Sequence, residues 1–332
     1  MTLSAAQRIS CDVVETHAEV ARIFNIQRYS LNDGRGIRTV VFFKGCPHRC
    51  PWCANPESIS PKIETVRRES KCLHCAPCLR DVDECPSGAF EPIGRDVTLE
   101  ELVSEVMKDD VFFRSSGGGV TLSGGEVLLH APFATKFLQG LRRFGVHTAI
   151  ETAGDAPLSR LMPLARQCDE VLFDLKIMDA DLAQSIVAMN LPRVLDNFRQ
   201  LVADGINVIP RVPLIPGYTL NETNMARVLA FLLPSGIRQL HLLLFHQYGS
   251  QNTVCWDRSG ECGKRPLRQK MRCQRCVNWQ SAKVSMLPWE AEHDSDNGTS
   301  SGGGDRVCQW RRTYLYGCRT SGKALPAGEV ER

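Results

Sequence analysis

No stretch of this 332-residue chain keeps apolar residues running for the roughly 18 positions that a membrane-spanning helix needs. A bilayer is therefore not an expected partner. The opening residues, MTLSAAQRISCDVVETHAEV, also lack the apolar stretch of an export signal, because Arg8, Asp12 and Glu15 interrupt it. The cytoplasm is the expected compartment. There is no long basic run, and 40 Lys and Arg against 37 Asp and Glu leave a net charge of only +3. A dominant contact with a phosphate backbone, and hence nucleic acid, is not expected. The glycine-rich run GGGVTLSGG has the spacing of neither a phosphate loop nor a dinucleotide fingerprint.

Hydrophobic residues supply 43% of the chain and charged residues 23%, the proportions of a globular protein. The length suits two domains or one large α/β barrel with additions. Between residues 37 and 246, short β-branched or apolar runs alternate with amphipathic helical stretches, the signature of repeated βα units and a parallel sheet. Six strands are expected, at 37–45, 118–126, 146–152, 170–176, 206–217 and 239–249. The first is nearly continuous in apolar character, as a strand buried on both faces should be. Helices are expected over 98–110, where Thr98 and Glu101 have capping-box spacing, and over 158–167, 192–204 and 224–233. Another opens near Pro132, with Phe133, Phe137, Leu141 and Phe144 expected to face inward. Six such repeats curl into a partial barrel, in which chemistry gathers where the carboxyl ends of the strands emerge. Those ends carry CPHRCPWC, SGGE, ETAG, DLK, RVPLIPG and FHQYG.

After Gly249 the character changes. Residues 251–332 contain neither Ile nor Phe, hold four of the five Trp and six Cys, and have only nine Val and Leu in 82 residues. That is too few to bury a compact domain. The segment 250–332 is expected to be poorly ordered, and its abrupt onset after an ordinary strand fits translation out of frame.

The cysteines number 15, and in a reducing compartment clustered thiols more often hold metal than form disulfides. Cys46, Cys50 and Cys53 have the spacing of one helical face, but Pro51 breaks a helix there. A loop folded around a metal fits better. Three thiolates without an obvious fourth ligand suit a [4Fe–4S] cluster with one iron left open, while zinc with His48 as fourth ligand is the alternative. Cys72, Cys75, Cys78 and Cys85, followed by Pro86, are similar to a ferredoxin module whose last spacing has grown to six residues. Four thiolates would fill a second [4Fe–4S] cluster that passes electrons, or alternatively bind zinc. Cys11 and Cys168 read as ordinary thiols. Cys273 and Cys276 lie in the atypical tail and receive no role. Asp174 and Lys176 flank Leu175, so both point to one face of a strand end.

The run YSLNDGRGIRTVVFFKGCPHRCPWCANPES, residues 29–58, closely resembles the activating enzymes of glycyl radical enzymes, of the pyruvate formate-lyase activase type. The C-x3-C-x2-C spacing is that of radical S-adenosylmethionine enzymes. The resemblance runs from about Ile23 to Gly249 and takes in SGGE, DLK and FHQYG in order. It implies a (βα)6 partial TIM barrel of radical SAM type over 23–249, with a ferredoxin-like iron–sulfur insert at 64–95 and an N-terminal extension at 1–22. By resemblance, Cys46, Cys50 and Cys53 hold three irons, and the fourth iron chelates S-adenosylmethionine. Cleavage to methionine and a 5′-deoxyadenosyl radical then permits hydrogen abstraction from a backbone glycine of a pyruvate formate-lyase-like partner. A one-electron donor such as flavodoxin is implied.

The same likeness places Trp52, Cys53, Ala54, Gly124, Gly125, Glu126, Asp174, Leu175, Lys176, Arg211 and His246 around the nucleotide. It sets Asp33, Gly34 and Gly36 against the partner protein, with Arg35 replacing the usual proline. Asp174, Glu151 and Thr152 would help to hold a monovalent cation. Two other readings share these residues. One is a radical SAM enzyme acting on a small molecule, which would not need the DGRGIR segment. The other is a non-catalytic iron–sulfur electron carrier, for which an open iron would be pointless.

Overall fold

The computed structural model describes residues 19–237, 239–245 and 282–285. The chain enters on β1 (Val20–Ser30) and turns back on β2 (Arg38–Phe43). The hairpin of β3 (Glu64–Arg67) and β4 (Phe90–Ile93) stands apart as a two-stranded sheet, and β5 (Arg95–Thr98) returns to pair with β1. Then follow α1 (Leu99–Met107), α2 (Asp110–Ser116), β6 (Gly119–Gly124), α3 (Ala131–Arg143), β7 (His147–Thr152) and α4 (Leu158–Ala165). After β8 (Glu170–Asp174) come the single turn α5 (Ala180–Leu182), a π-helical turn (Ala183–Val187) and α6 (Leu191–Ala203). The series closes with β9 (Val208–Leu214), α7 (Glu222–Leu232), β10 (Gln239–Leu244) and β11 (Ala282–Ser285).

Six strands, β2, β6, β7, β8, β9 and β10, lie side by side in parallel and in chain order, as the βα pattern predicts. Antiparallel β1 and β5 extend one edge and antiparallel β11 the other, so among the described residues the sheet does not close on itself. β1 was not among the expected strands.

Alternation sorts the side chains. On β2, Val41 and Phe43 join the helix-side core, while Arg38 turns inward and donates from Nε to Thr121 Oγ1 at 2.6 Å. On β8 and the two residues after it, Val171, Phe173 and Leu175 pack against the helices, which leaves Asp174 and Lys176 inside. The core is aromatic in part: Phe43 meets Phe133 at 6.2 Å, and Phe173 meets Phe198 edge-on at 5.2 Å.

The capping box at α1 forms as expected, with Glu101 N to Thr98 Oγ1 at 3.2 Å and Thr98 N to Glu101 Oε2 at 2.9 Å. Phe133, Phe137 and Leu141 face inward on α3, but Phe144 is 50% exposed, against expectation. The helix ends at Arg143, and Gly145 at φ +70° steers the chain into β7. Phe144 therefore leaves the helical face before it can pack. Among the described residues no helix is long and apolar enough to cross a membrane.

Candidate active site

The carboxyl ends of β2 and β6 to β9 form one rim. The cysteine loop leaves β2 there and is pinned at several points: Gly45 N donates to Ser58 O at 2.6 Å, Cys46 N to Ile59 O at 3.1 Å, and Arg49 N to Val187 O at 3.1 Å. No helix forms between Cys46 and Cys53, as Pro51 dictates. Next to it, Gly125 N donates to Phe43 O at 2.9 Å and Glu126 N to Gly45 O at 2.8 Å. A Cβ on Gly124 would fall on the Phe43 backbone, and one on Gly125 on the Gly45 carbonyl. The glycine pair thus lets the β6 rim lie directly on the start of the cysteine loop. The buried Glu126 carboxylate accepts from Thr152 Oγ1 at 2.6 Å, Ala153 N at 3.0 Å and Leu128 N at 3.2 Å. SGGE therefore staples the cysteine loop to the end of β7.

Burial pushes the Cys46 thiol up to about 12, aided by Glu126, and the Cys53 thiol up to about 11. Cys50 is also raised by burial, although the Lys176 ammonium opposes this. The three thiols lie within electrostatic reach of one another. Such thiols ionise only when positive charge is brought to them, which a metal cluster does. Among the described residues no three His, Cys, Asp or Glu side chains close on a single-ion site.

Beside this loop, Lys176 Nζ donates to Asp174 Oδ2 at 2.9 Å. Burial would lower Lys176, but Asp174 and Cys50 outweigh it and hold the ammonium charged. Burial likewise works to raise Asp174, and Lys176 and Arg211 reverse it. Arg211, 8% exposed, pairs with Glu151. Burial raises Glu151 to about 7 against the pull of Arg211, and its other oxygen accepts from Ser123 Oγ. Asp174 Oδ1 and Arg211 Nε lie 3.8 Å apart, both buried and without a hydrogen bond among the described residues. Those two atoms are available to a polar ligand.

Other expected residues fall as follows. Trp52 tilts against Tyr218, ring centroids 5.0 Å apart, and Ala54 is exposed. The Leu175 side chain turns into the helix-side core, so only its backbone reaches the rim. Thr152 and Glu151 are committed to Glu126, Ser123 and Arg211. Asp33, Gly34 and Gly36 occupy the β1–β2 turn, at the opposite end of β2 from the cysteine loop. There Thr121 Oγ1 donates to Asp33 O at 2.6 Å, and Gly36 at φ +70° lies against the Gly118 backbone. The Asp33 carboxylate is still felt by Arg211 and Glu151.

Cys72, Cys75, Cys78 and Cys85 lie between β3 and β4, with Cys75 and Cys78 exposed. Hydrogen bonds from Ser87 lower the Cys85 thiol to about 7. His246, Cys11, Cys273, Cys276 and nearly all of the tail lie outside the described residues.

Three rim residues were not found from sequence in the role they take. His48, weighed only as a zinc ligand, sets Nδ1 3.8 Å from Cys46 Sγ and Nε2 3.2 Å from Asp155 Oδ2. Asn224 fixes the end of DLK, donating to Lys176 O at 2.9 Å and accepting from Met178 N at 2.8 Å. For Asp155 the usable signal was an acidic residue directly after a strand-end motif, ETAGD.

The model of the Radical SAM superfamily matches residues 40–229. The chain is 74% identical over 250 residues to the pyruvate formate-lyase 2-activating enzyme of Escherichia coli, covering 75% of this chain and 86% of that protein. It is 35% identical over 274 residues to an isethionate sulfite-lyase activating enzyme of Nitratidesulfovibrio vulgaris, covering 73% and 89%. To a choline trimethylamine-lyase activating enzyme of Oleidesulfovibrio alaskensis it is 34% identical over 262 residues, covering 69% and 84%. With its open parallel barrel and a three-thiol loop at the rim, the chain belongs to the radical SAM superfamily and, within it, to the lyase-activating enzymes.

Proposed function

We propose that this chain is a cytoplasmic activase that installs a radical on a backbone glycine of a pyruvate formate-lyase-like enzyme. Members of its superfamily use a [4Fe–4S] cluster and S-adenosylmethionine, and Cys46, Cys50 and Cys53 would hold three of the irons. A cluster held there would supply the electron for reductive cleavage of S-adenosylmethionine to methionine and a 5′-deoxyadenosyl radical, the species able to abstract the glycine hydrogen. The chain's own residues bind and orient. Lys176 offers a buried point charge to a carboxylate. Asp174 Oδ1 and Arg211 Nε offer an acceptor and a donor that nothing else among the described residues uses. That pair beside three half-buried thiols within electrostatic reach of one another carries the reading.

Trp52, within the cysteine loop, packs against Tyr218 and gives that side of the loop an apolar wall, which would limit the access of water to a bound cluster. Asp174 would also face a monovalent cation. Asp33, Gly34 and Gly36 would meet the partner protein. Cys72, Cys75, Cys78 and Cys85 would hold a second [4Fe–4S] cluster that takes electrons from a donor such as flavodoxin, since exposure of Cys75 and Cys78 gives a donor access.

The test is anaerobic reconstitution with iron and sulfide, followed by reduction with S-adenosylmethionine present. Methionine and 5′-deoxyadenosine are expected, and a glycyl radical signal should appear on an added partner enzyme. Replacing Cys72 and Cys75 by Ser should halve the iron content. Loaded, reduced protein that releases no 5′-deoxyadenosine would overturn the reading.

A further inference from the structure

The buried pair His48 and Asp155, 3% and 8% exposed, has no task in the reaction just described. Asp155 is held from three directions. Its Oδ2 accepts from Asn190 N at 2.9 Å, its Oδ1 accepts from Arg193 Nε at 2.7 Å, and His48 Nε2 lies 3.2 Å from Oδ2. Asn190 and Arg193 belong to the first turn of α6, where Asn190 Oδ1 also accepts from Arg193 N at 3.1 Å. The helix start thus fixes the carboxylate. Burial works to raise Asp155, but the bonds from His48, Asn190 and Arg193 hold it below the usual carboxylate range.

An ionised carboxylate can only accept. Nε2 therefore carries a hydrogen toward Asp155, and the other ring edge, with Nδ1, is turned on Cys46 Sγ at 3.8 Å. A ring flip would aim carbon at both partners. The polar edge of an imidazole against a cluster-binding sulfur alters how readily that cluster accepts an electron, because hydrogen bonds and dipoles at the sulfurs are among the determinants of potential.

We propose that His48 and Asp155 are positioning residues that set the reduction potential of the cluster bound through Cys46, with Asp155 acting only through the His48 ring. The inference rests on the iron–sulfur reading above and adds a control that the three thiolates do not supply.

The experiment is a redox titration of full-length reconstituted protein, followed by electron paramagnetic resonance, on wild type, His48→Leu, Asp155→Ala and the double variant. His48→Leu should move the one-electron equilibrium about tenfold, equivalent to about 59 mV. Asp155→Ala should shift it in the same direction, and that shift should vanish in the His48→Leu background. Should Asp155→Ala fail to fold, Asp155→Asn carries the same test, since any shift it causes must likewise vanish when His48 is gone.

An unchanged potential in loaded His48→Leu overturns the proposal. So does an Asp155 shift of equal size in both backgrounds. Loss of iron from folded His48→Leu overturns it too, by making His48 a ligand. Wild-type protein that takes up no iron and sulfide would instead end the iron–sulfur reading, before any potential is measured.

Discussion

Replacing Gly125 by Ala tests whether SGGE is glycine-rich for the sake of the protein or of its ligand. The backbone at Gly125 is not in the left-handed region, so alanine suffers no conformational penalty there. The cost is steric: the new Cβ would overlap the Gly45 carbonyl oxygen and lie 3.1 Å from Ser58 O. Both are backbone and cannot swing aside. To make room, the start of the cysteine loop must retreat, which strains Gly125 N to Phe43 O at 2.9 Å and Glu126 N to Gly45 O at 2.8 Å. Overpacking costs about 1–3 kcal/mol and each lost hydrogen bond about 1 kcal/mol, so about 3 kcal/mol is expected. For a chain of this size that lowers Tm by about 6–12 °C. Gly140 on α3 is the control, because its Cβ would meet only Val103 Cγ2 at 3.7 Å. Gly140→Ala should instead gain up to about 1 kcal/mol. Thermal melts and iron content of both variants are the assay. If Gly125→Ala melts like wild type, loads iron normally and fails only to bind S-adenosylmethionine, the glycine serves the ligand and this reasoning is refuted.

Two more outcomes follow from single residues. His130 is buried with Nε2 2.7 Å from Lys44 O, its Nδ1 has no hydrogen-bond partner among the described residues, and burial lowers its pKa from 6.5. Below pH 6.5 the unfolded chain takes up a proton that the folded protein refuses, so stability should fall with pH by up to about 1.4 kcal/mol per unit. His130→Gln, which keeps a donor for Lys44 O, should flatten that dependence, as urea midpoints at pH 7.5 and 5.5 will show; an identical slope rejects the assignment. Thr98→Ala removes the side-chain half of the capping box at α1 and should cost about 1 kcal/mol, lowering Tm by about 2–4 °C.

The sequence made the parallel strands legible because strands covered on both faces must be apolar almost throughout, as Val40, Val41, Phe42 and Phe43 of β2 are. Thr98 and Glu101 were legible because a capping box lies within four residues of chain. β1 is hard to read in the sequence because its buried positions alternate with partly exposed ones, and it lies outside the parallel series, antiparallel to both β2 and β5. Phe144 was misplaced because a helical period continues on paper past the residue where the helix stops. The contact of His48 with Asp155 spans 107 residues, and that of Arg211 with Glu151 spans 60. No local pattern encodes such pairs.

What does encode them is the combination of strand order with alternation. Once β6, β7, β8 and β9 are known to be parallel neighbours, the inward residues near their ends must share one rim: Ser123, Glu151, Asp174 and Arg211. Their charges must then compensate one another, because the rim is largely closed to water. Arg211 meets Glu151 and approaches Asp174, while Asp174 meets Lys176, so two cations are set against two carboxylates. Balance of that kind leaves little freedom for single changes. Among the described residues, removing Lys176 would leave Asp174 with only the distant guanidinium edge 3.8 Å away, and the carboxylate would have to turn to reach it. The polar atoms held ready for a ligand are therefore kept in place by the same ion pairs that make the rim stable.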